Sequence, residues 1–323
     1  MKVIMKSNHF IMEFSTDQTE RYTWAAWLLF VLICSVLGNT AILVASLFKH
    51  DVFGFHVLMV ALVQHMAVCD LLISVSTIFP RMVSLFTNNW IFGTPLCYLT
   101  AYLTAYSIPA SSYLTCTMTT SKLWILKSPQ RAKSFSKLQA HLLCLCIWAL
   151  GFCIPILYLI VDKNDVDWSD KTFYCYYKHS GNKWDILKPC KHAVFGGIPV
   201  IVVIVTSVFL IKHLLEAREA SKRSKGTVRW QGIATVVTVA CVYTIAILPL
   251  TMYWIVESYL TAEQAKIFSR TATTFFYFNV ASNVFIYFFT IKGFKRFLQA
   301  MTNCNISYLA LSSTGKYCLD DNF

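Results

Sequence analysis

Long runs without a single charged residue punctuate this chain. None occurs from Tyr22 to Phe48, from Leu138 to Val161, from His192 to Ile211, from Trp230 to Val256 or from Thr271 to Ile291. Between Asp51 and Arg81 the one charged residue is Asp70, and the uncharged stretch from Met82 to Ser121 is long enough for an outer loop and a further span. A helix crosses the hydrocarbon core of a bilayer with about 20 apolar residues, so the pattern predicts seven spans. Helices satisfy their own backbone where no water can reach. Barrel strands would instead alternate apolar and polar residues over about 10 positions, which these runs do not. After the last span, Lys292-Gly293-Phe294-Lys295-Arg296-Phe297-Leu298 is apolar and basic by turns, the pattern of a short amphipathic helix on a membrane surface. The expected molecule is an all-α membrane protein, a seven-transmembrane helix bundle. Its expected divisions are an extracellular N-terminus at 1–21, the bundle at 22–291, the amphipathic helix at 292–301 and a flexible cytoplasmic tail at 302–323.

Composition agrees with lipid as the solvent. Of 323 residues 56% are hydrophobic and 14% charged, where a soluble domain carries about 25% charged residues. That excludes a disordered chain, an ordinary nucleic-acid-binding domain and a secreted disulfide scaffold. The net charge of +12 is unevenly placed. The side holding the C-terminus carries 16 basic and 5 acidic residues, the other side 12 and 10. The excess of Lys and Arg in short loops predicts a cytoplasmic C-terminus and an extracellular N-terminus in a multi-pass protein of the plasma membrane. Residues 1–21 lack the long apolar core of a cleaved signal peptide. The inner loops are too short to hold an inserted domain. Of 12 cysteines, Cys97, Cys175 and Cys190 alone fall on the oxidising outer side, where a disulfide persists.

No catalytic constellation is present: no HExxH, GxSxG, Walker loop or CxxC pair. The sequence predicts a protein that is not an enzyme. His56, His65 and His192 stand apart and read as hydrogen-bonded helix residues rather than metal ligands. Pro80, Pro109, Pro155, Pro199 and Pro249 fall inside spans, as hinges or as packing bends. Asp70 is the sharp feature. An ionisable residue at mid-membrane costs about 2.5–3.5 kcal/mol on insertion scales and defaults to a functional role. By itself it leaves open an ion site, a proton relay and a structural hydrogen bond.

Several motifs then fall in register. Gly38-Asn39 lies in the first span and Met66-Ala67-Val68-Cys69-Asp70 in the second. Trp90-Ile91-Phe92-Gly93 leads to Cys97 at the head of the third, Trp148 lies in the fourth and Pro199 in the fifth. Leu248-Pro249 sits in the sixth, and Asn283-Val284-Phe285-Ile286-Tyr287 ends the seventh. In order, spacing and orientation the chain resembles a class A (rhodopsin-like) G protein-coupled receptor over roughly residues 22–300. The resemblance implies a disulfide between Cys97 and Cys175. It implies that Asp70 gathers with Ser111, Asn279 and Asn283 around a sodium ion, and that Tyr287 swings inward on activation. It further implies a heterotrimeric G protein as inner partner, an extracellular ligand of unknown class, the lipid bilayer as surroundings and no nucleic acid.

The departures concern the inner switch. The Asp/Glu-Arg-Tyr triplet ending the third span reads Ser121-Lys122-Leu123, and Cys-Trp-x-Pro in the sixth reads Ala246-Ile247-Leu248-Pro249. Asn-Pro-x-x-Tyr keeps its ends but has Val284 for Pro. In many such receptors the arginine is held by acids. Here its place is taken by Lys122, beside Ser121, and the position twenty residues before Pro249 is Arg229. Lys keeps the charge of Arg but not its planar fork, and two cations facing each other repel. An opsin needs a lysine inside the seventh span, where Tyr277 stands, so no retinal is expected. An aminergic receptor carries Asp where Thr104 stands. Lys191 and His192, at the outer end of the fifth span, either meet an anionic ligand or face lipid headgroups. The function these residues imply is a cell-surface receptor signalling to G proteins. The alternatives are a non-signalling scaffold or decoy and, from a different class, an ion-coupled transporter using Asp70.

Overall fold

A computed structural model describes residues 2–48, 52–162, 166–169, 173–177, 190–223 and 231–302. Seven helical spans form one bundle. The first is α1 (Lys2–Phe48), whose side chains are described from Gln18. The second is α2 (Val57–Ile73), continued through a π-turn (Ser74–Ile78) into α3 (Phe79–Thr87). The third is α4 (Gly93–Lys127). After a short α5 (Pro129–Lys133), the fourth is made of α6 (Lys137–Gly151) and α7 (Cys153–Asp162). The fifth enters through a second π-turn (Ala193–Gly197) into α8 (Ile198–Arg223), the sixth is α9 (Gln231–Val256) and the seventh α10 (Ala262–Thr290). Then α11 (Lys292–Thr302) turns away from α10 by 104°. The expected amphipathic helix is therefore present.

Span ends differ from the charge pattern in two places. The first span does not begin at Tyr22 but at Gln18, within a helix that runs back to Lys2. The second does not stop at Arg81 but continues six residues to Thr87. A charged residue ends a span only where it must reach water, and both Arg21 and Arg81 are buried against neighbouring helices. By length and apolarity alone, five spans qualify as membrane-crossing, and the α10–α11 pair makes a sixth. The third falls short because it is rich in Thr and Ser. Their hydroxyls bond back to the preceding turn, Thr115 to Ser111 O at 3.0 Å and Thr117 to Tyr113 O at 2.8 Å, so polarity costs the helix little.

Both π-turns lie two residues ahead of a proline, Pro80 and Pro199. A proline ring clashes with the carbonyl four residues earlier. Widening one turn relieves the clash and adds one residue to the helix, which rotates every later side chain by roughly 100° about the axis. The consequence appears at the outer cavity.

Two glycines mark close helix approaches. A Cβ on Gly38 would sit 2.5 Å from Val284 Cγ1, and one on Gly293 would sit 2.3 Å from the Val52 carbonyl oxygen. The first lets α1 pack on α10; the second lets α11 dock on the first inner loop, with Phe294 and Phe297 fully buried. Gly38→Ala is expected to destabilise the bundle by about 1–3 kcal/mol through overpacking, read as a lower melting midpoint in detergent. Adding Val284→Ala removes the nearest atom and should recover part of the loss; equal losses in single and double variants would clear Val284 of the effect.

At the end of the bundle opposite α11, β1 (Val166–Ser169) and β2 (Tyr174–Tyr177) pair antiparallel, with Trp168 opposite Cys175. This hairpin lies across the bundle mouth.

Candidate functional site

The hairpin is tied down at its second strand. Cys97, at the head of α4, is bonded to Cys175 of β2, with 5.4 Å between their Cα atoms. Around the bridge pack Ala101, Ile154 and Tyr177, with Trp90 and Trp168 over them. The Trp90 indole donates to Gly93 O at 2.7 Å and fixes the loop before α4. Burial, with a smaller contribution from Tyr102, pushes the Tyr177 phenol up to about 12; its hydroxyl therefore stays protonated at physiological pH. Cys190 is exposed and free.

Beneath the hairpin lies a cavity of about 400 Å³. All four pocket candidates line it. Thr104 and Thr77 share a hydrogen bond of 2.8 Å, Tyr277 accepts one from Arg81 at 3.1 Å, and the His192 ring stacks on Trp254 with centroids 4.5 Å apart. Lys191 joins them, so the pair at the head of the fifth span takes part in the cavity wall. Arg81 was legible in the sequence only as the end of a charge-free run. The π-turn and Pro80 deliver it to the interior, where it is 6% exposed.

The central site is built on Asp70, 2% exposed. Asn283 Nδ2 donates to Asp70 Oδ2 at 2.8 Å and joins the second span to the seventh. Ser111 and Asn279 are buried but make no hydrogen bond to Asp70. They flank it: the Cys69 thiol donates to Ser107 O one turn before Ser111, and Asn279 lies one turn before Asn283. Two members escaped the sequence reading. Ser74 Oγ donates to Asp70 O at 2.7 Å and lies 2.7 Å from Ser35 Oγ. Asn39 Nδ2 bonds Ser35 Oγ at 3.1 Å and Val280 O at 3.1 Å, while its Oδ1 has no hydrogen-bond partner. A serine four residues after a buried Asp was the available signal for Ser74.

The donor set suits a small hard cation. Among the described residues no Lys, Arg or His pairs with Asp70, and the nearby side chains offer oxygens. A carboxylate buried without a protein cation calls for either a bound cation or a proton. No group of three or more His, Cys, Asp or Glu able to hold a metal occurs among the described residues.

At the inner end Tyr287 is 2% exposed, its ring edge-on to Phe53 at 5.8 Å and to Phe294 at 6.2 Å. Ser121 is buried, and Ile247 fills the core where the family's tryptophan stands, two residues before Pro249. Arg229 lies outside the described residues. Lys122 has no carboxylate partner among them, and a Cβ on Gly232, three residues beyond Arg229, would sit 3.1 Å from its Nζ. The third span's cation is thus set against the base of the sixth. Hydroxyl pairs tie the same level, Thr206 to Thr119 and Thr235 to Thr290, each at 3.0 Å.

A further contact absent from the sequence reading lies between the second and fourth spans. The Trp148 indole donates to His65 Nδ1 at 3.0 Å, and His65 Nε2 lies 3.1 Å from His141 Nδ1. His56 instead caps α2 and bonds Ala132 O at 2.8 Å.

A seven-helix bundle with a disulfide-anchored hairpin over an outer cavity, a buried Asp at its centre and an amphipathic helix at its inner end defines a membrane receptor. The sequence profile of the 7 transmembrane receptor (rhodopsin family) matches residues 38–287, and the chain belongs to that family. Among its relatives are C-X-C chemokine receptor type 2 of Bos taurus, 21% identical over 78% of this chain and 67% of that protein, and a purinoceptor of Homo sapiens, 26% identical over 57% and 51%. G-protein coupled receptor 183 of Bos taurus is 22% identical over 72% and 69%. The chain spans about half to two thirds of the length of these relatives. It is a cell-surface, multi-pass receptor of the G protein-coupled class.

Proposed function

We propose that the protein takes an extracellular ligand into the outer cavity, with its N-terminus outside, and passes the signal to a heterotrimeric G protein at its inner face. One observation carries this reading. Tyr277 in the cavity wall, Asn283 bonded to Asp70 and Tyr287 in the inner aromatic cluster lie along the single helix α10. A ligand that favours one position of Tyr277 therefore biases the helix that bears the other two. The mechanism is a population shift between two packings, each stabilised by its own set of contacts. The relatives' names point to chemokines in one case and purines in another, so similarity does not select a ligand. Asp70, with Ser111, Asn279 and Asn283, holds a sodium ion that compensates its charge and favours the inactive packing.

The test is nucleotide exchange on purified G proteins by the receptor in nanodiscs, run across the G protein classes with a ligand library. Exchange above the receptor-free control is expected with at least one class; none with any class overturns the coupling.

A second reading, a scaffold or decoy that does not signal, is favoured by Lys122, which meets the base of the sixth span with no acidic partner among the described residues. Like charges 4 Å apart cost about 4 kcal/mol at an effective dielectric of 20 before screening, and about 1.4 kcal/mol already shifts a two-state equilibrium tenfold. If the receptor exchanges nucleotide, cations at both Lys122 and Arg229, where the family has an attracting pair, leave its inner switch loose. Arg229→Glu is then expected to lower ligand-free exchange severalfold, and unchanged or higher basal exchange would refute the loose switch.

A further inference from the structure

Arg81 is more than nine-tenths buried, yet it forms part of the outer cavity wall. A guanidinium carries five N–H donors in a planar fork and cannot shed its charge. In this chain one donor goes to Tyr277 Oη at 3.1 Å. The rings of Tyr174 and Tyr277 lie 5.4 and 5.7 Å from the guanidinium carbon and offer their faces to the charge. Among the described residues no carboxylate pairs with it. None of its nitrogens is both sealed from space and without a partner, so the unused donors keep accessible space around them, and the side chain lines the cavity and a small cleft beside it. A desolvated cation that keeps free donors toward an enclosed space is poised for an anion.

Charge, size and wall chemistry narrow that anion. Among the described residues the charged ones of the wall are Arg81 and Lys191 against Glu257, one net positive charge with His192 neutral. Glu257 accepts a hydrogen bond from Tyr253 at 3.2 Å. A single negative charge is matched by this set, whereas a nucleoside triphosphate, with about three or more, would leave several charges unpaired out of water. The volume of about 400 Å³ falls within the range for small organic ligands, about 300–1,000 Å³. The rest of the wall includes Ile108, Phe195, Leu250, Trp254 and Phe276. We propose that the cavity binds a small monoanionic amphiphile, a carboxylate on a compact apolar body, with the carboxylate taken by the Arg81 fork and the body laid against the aromatic wall. This rests on the reading of the cavity as the ligand site. It adds to that reading the ligand's class and the residue that selects it.

The test uses the purified full chain in nanodiscs and a panel built on one framework: biphenyl carboxylic acids with alkyl tails of graded length, their methyl esters, the matching primary amines, and ATP as the polyphosphate arm. Binding is read as a rise in melting midpoint and as a titrated Kd. The acids are expected to stabilise the protein, with esters, amines and ATP weak or silent. Arg81→Gln is expected to weaken the acids about thirty-fold, the loss for hydrogen bonds to a charged group. Arg81→Lys keeps the charge without the fork and is expected to lose about tenfold; it carries the comparison if the glutamine variant does not fold. Esters binding as well as acids, ATP binding more tightly than any acid, acids binding both variants as they bind the native chain, or no acid binding below about 1 mM each overturns the proposal. Because binding is read without a G protein, acids that bind to a protein incapable of exchange would fail the signalling reading alone. A neutral ligand that drives exchange would fail this proposal and leave signalling intact.

Discussion

Cys97→Ser is expected to lower the stability of the receptor by about 2–4 kcal/mol and to abolish high-affinity ligand binding. The bridge closes a loop of 78 residues between the third span and the outer hairpin. For a freely coiling loop of that length the chain-entropy relation gives about 4.5 kcal/mol. Part of the loop consists of α4, α6 and α7, helices that remain inserted when tertiary packing is lost, so the effective loop is shorter and the gain smaller. The functional loss follows from position: Cys175 is itself part of the cavity wall, and Tyr174, beside it, faces Arg81. The measurements are the melting midpoint of the purified protein and peptide mapping without reduction. Mapping should show Cys97 joined to Cys175. A Cys97–Cys190 link, or a serine variant as stable as the native chain, would remove the bridge from its role as anchor of the hairpin.

Asp70→Asn is expected to eliminate a sodium-dependent stabilisation of the receptor. With sodium in excess of its Kd by about 100-fold, a single site adds about 2.7 kcal/mol, so the midpoint should rise in sodium over a bulky organic cation at equal ionic strength. The amide removes the charge but keeps the shape and a partner for Asn283, so the fold should persist. Its midpoint should be the same in both salts. A sodium response that survives the substitution would place the ion away from Asp70. A native chain with no sodium response would mean that a proton, rather than a cation, neutralises the carboxylate.

How much of this was legible beforehand depended on the kind of constraint. Asp70 stood out because a lone charge in an apolar run is a one-dimensional signal, and Asn283 came with it through the resemblance. Ser35 and Ser74 did not stand out, since a serine in a membrane helix is common and only its partner across the bundle gives it meaning. Lys191 and His192 are legible as the head of the fifth span, but whether they face lipid or cavity turns on the azimuth of that helix. His65 is expected from the sequence to be a hydrogen-bonded helix residue, but its partner His141 lies 76 positions away on another span and only the packing names it.

The number of spans, the third span that hydropathy alone would miss, the expected orientation and the amphipathic end helix were determined by the sequence itself. Bilayer thickness sets span length, and the placement of Lys and Arg sets orientation; both are written along the chain. Tertiary structure alone decided what each helix shows to its neighbours. Arg81 would be a span-end charge in a regular helix. The π-turn at Ser74–Ile78 adds one residue before it and turns it by roughly 100°, into the bundle and onto Tyr277. Tyr287 likewise meets Phe53 and Phe294 where α11 packs closely on the Val52 carbonyl at Gly293. Rotation about a helix axis accumulates with every residue and every irregular turn, so one inserted position redirects a whole helical face while leaving the pattern of apolar runs unchanged.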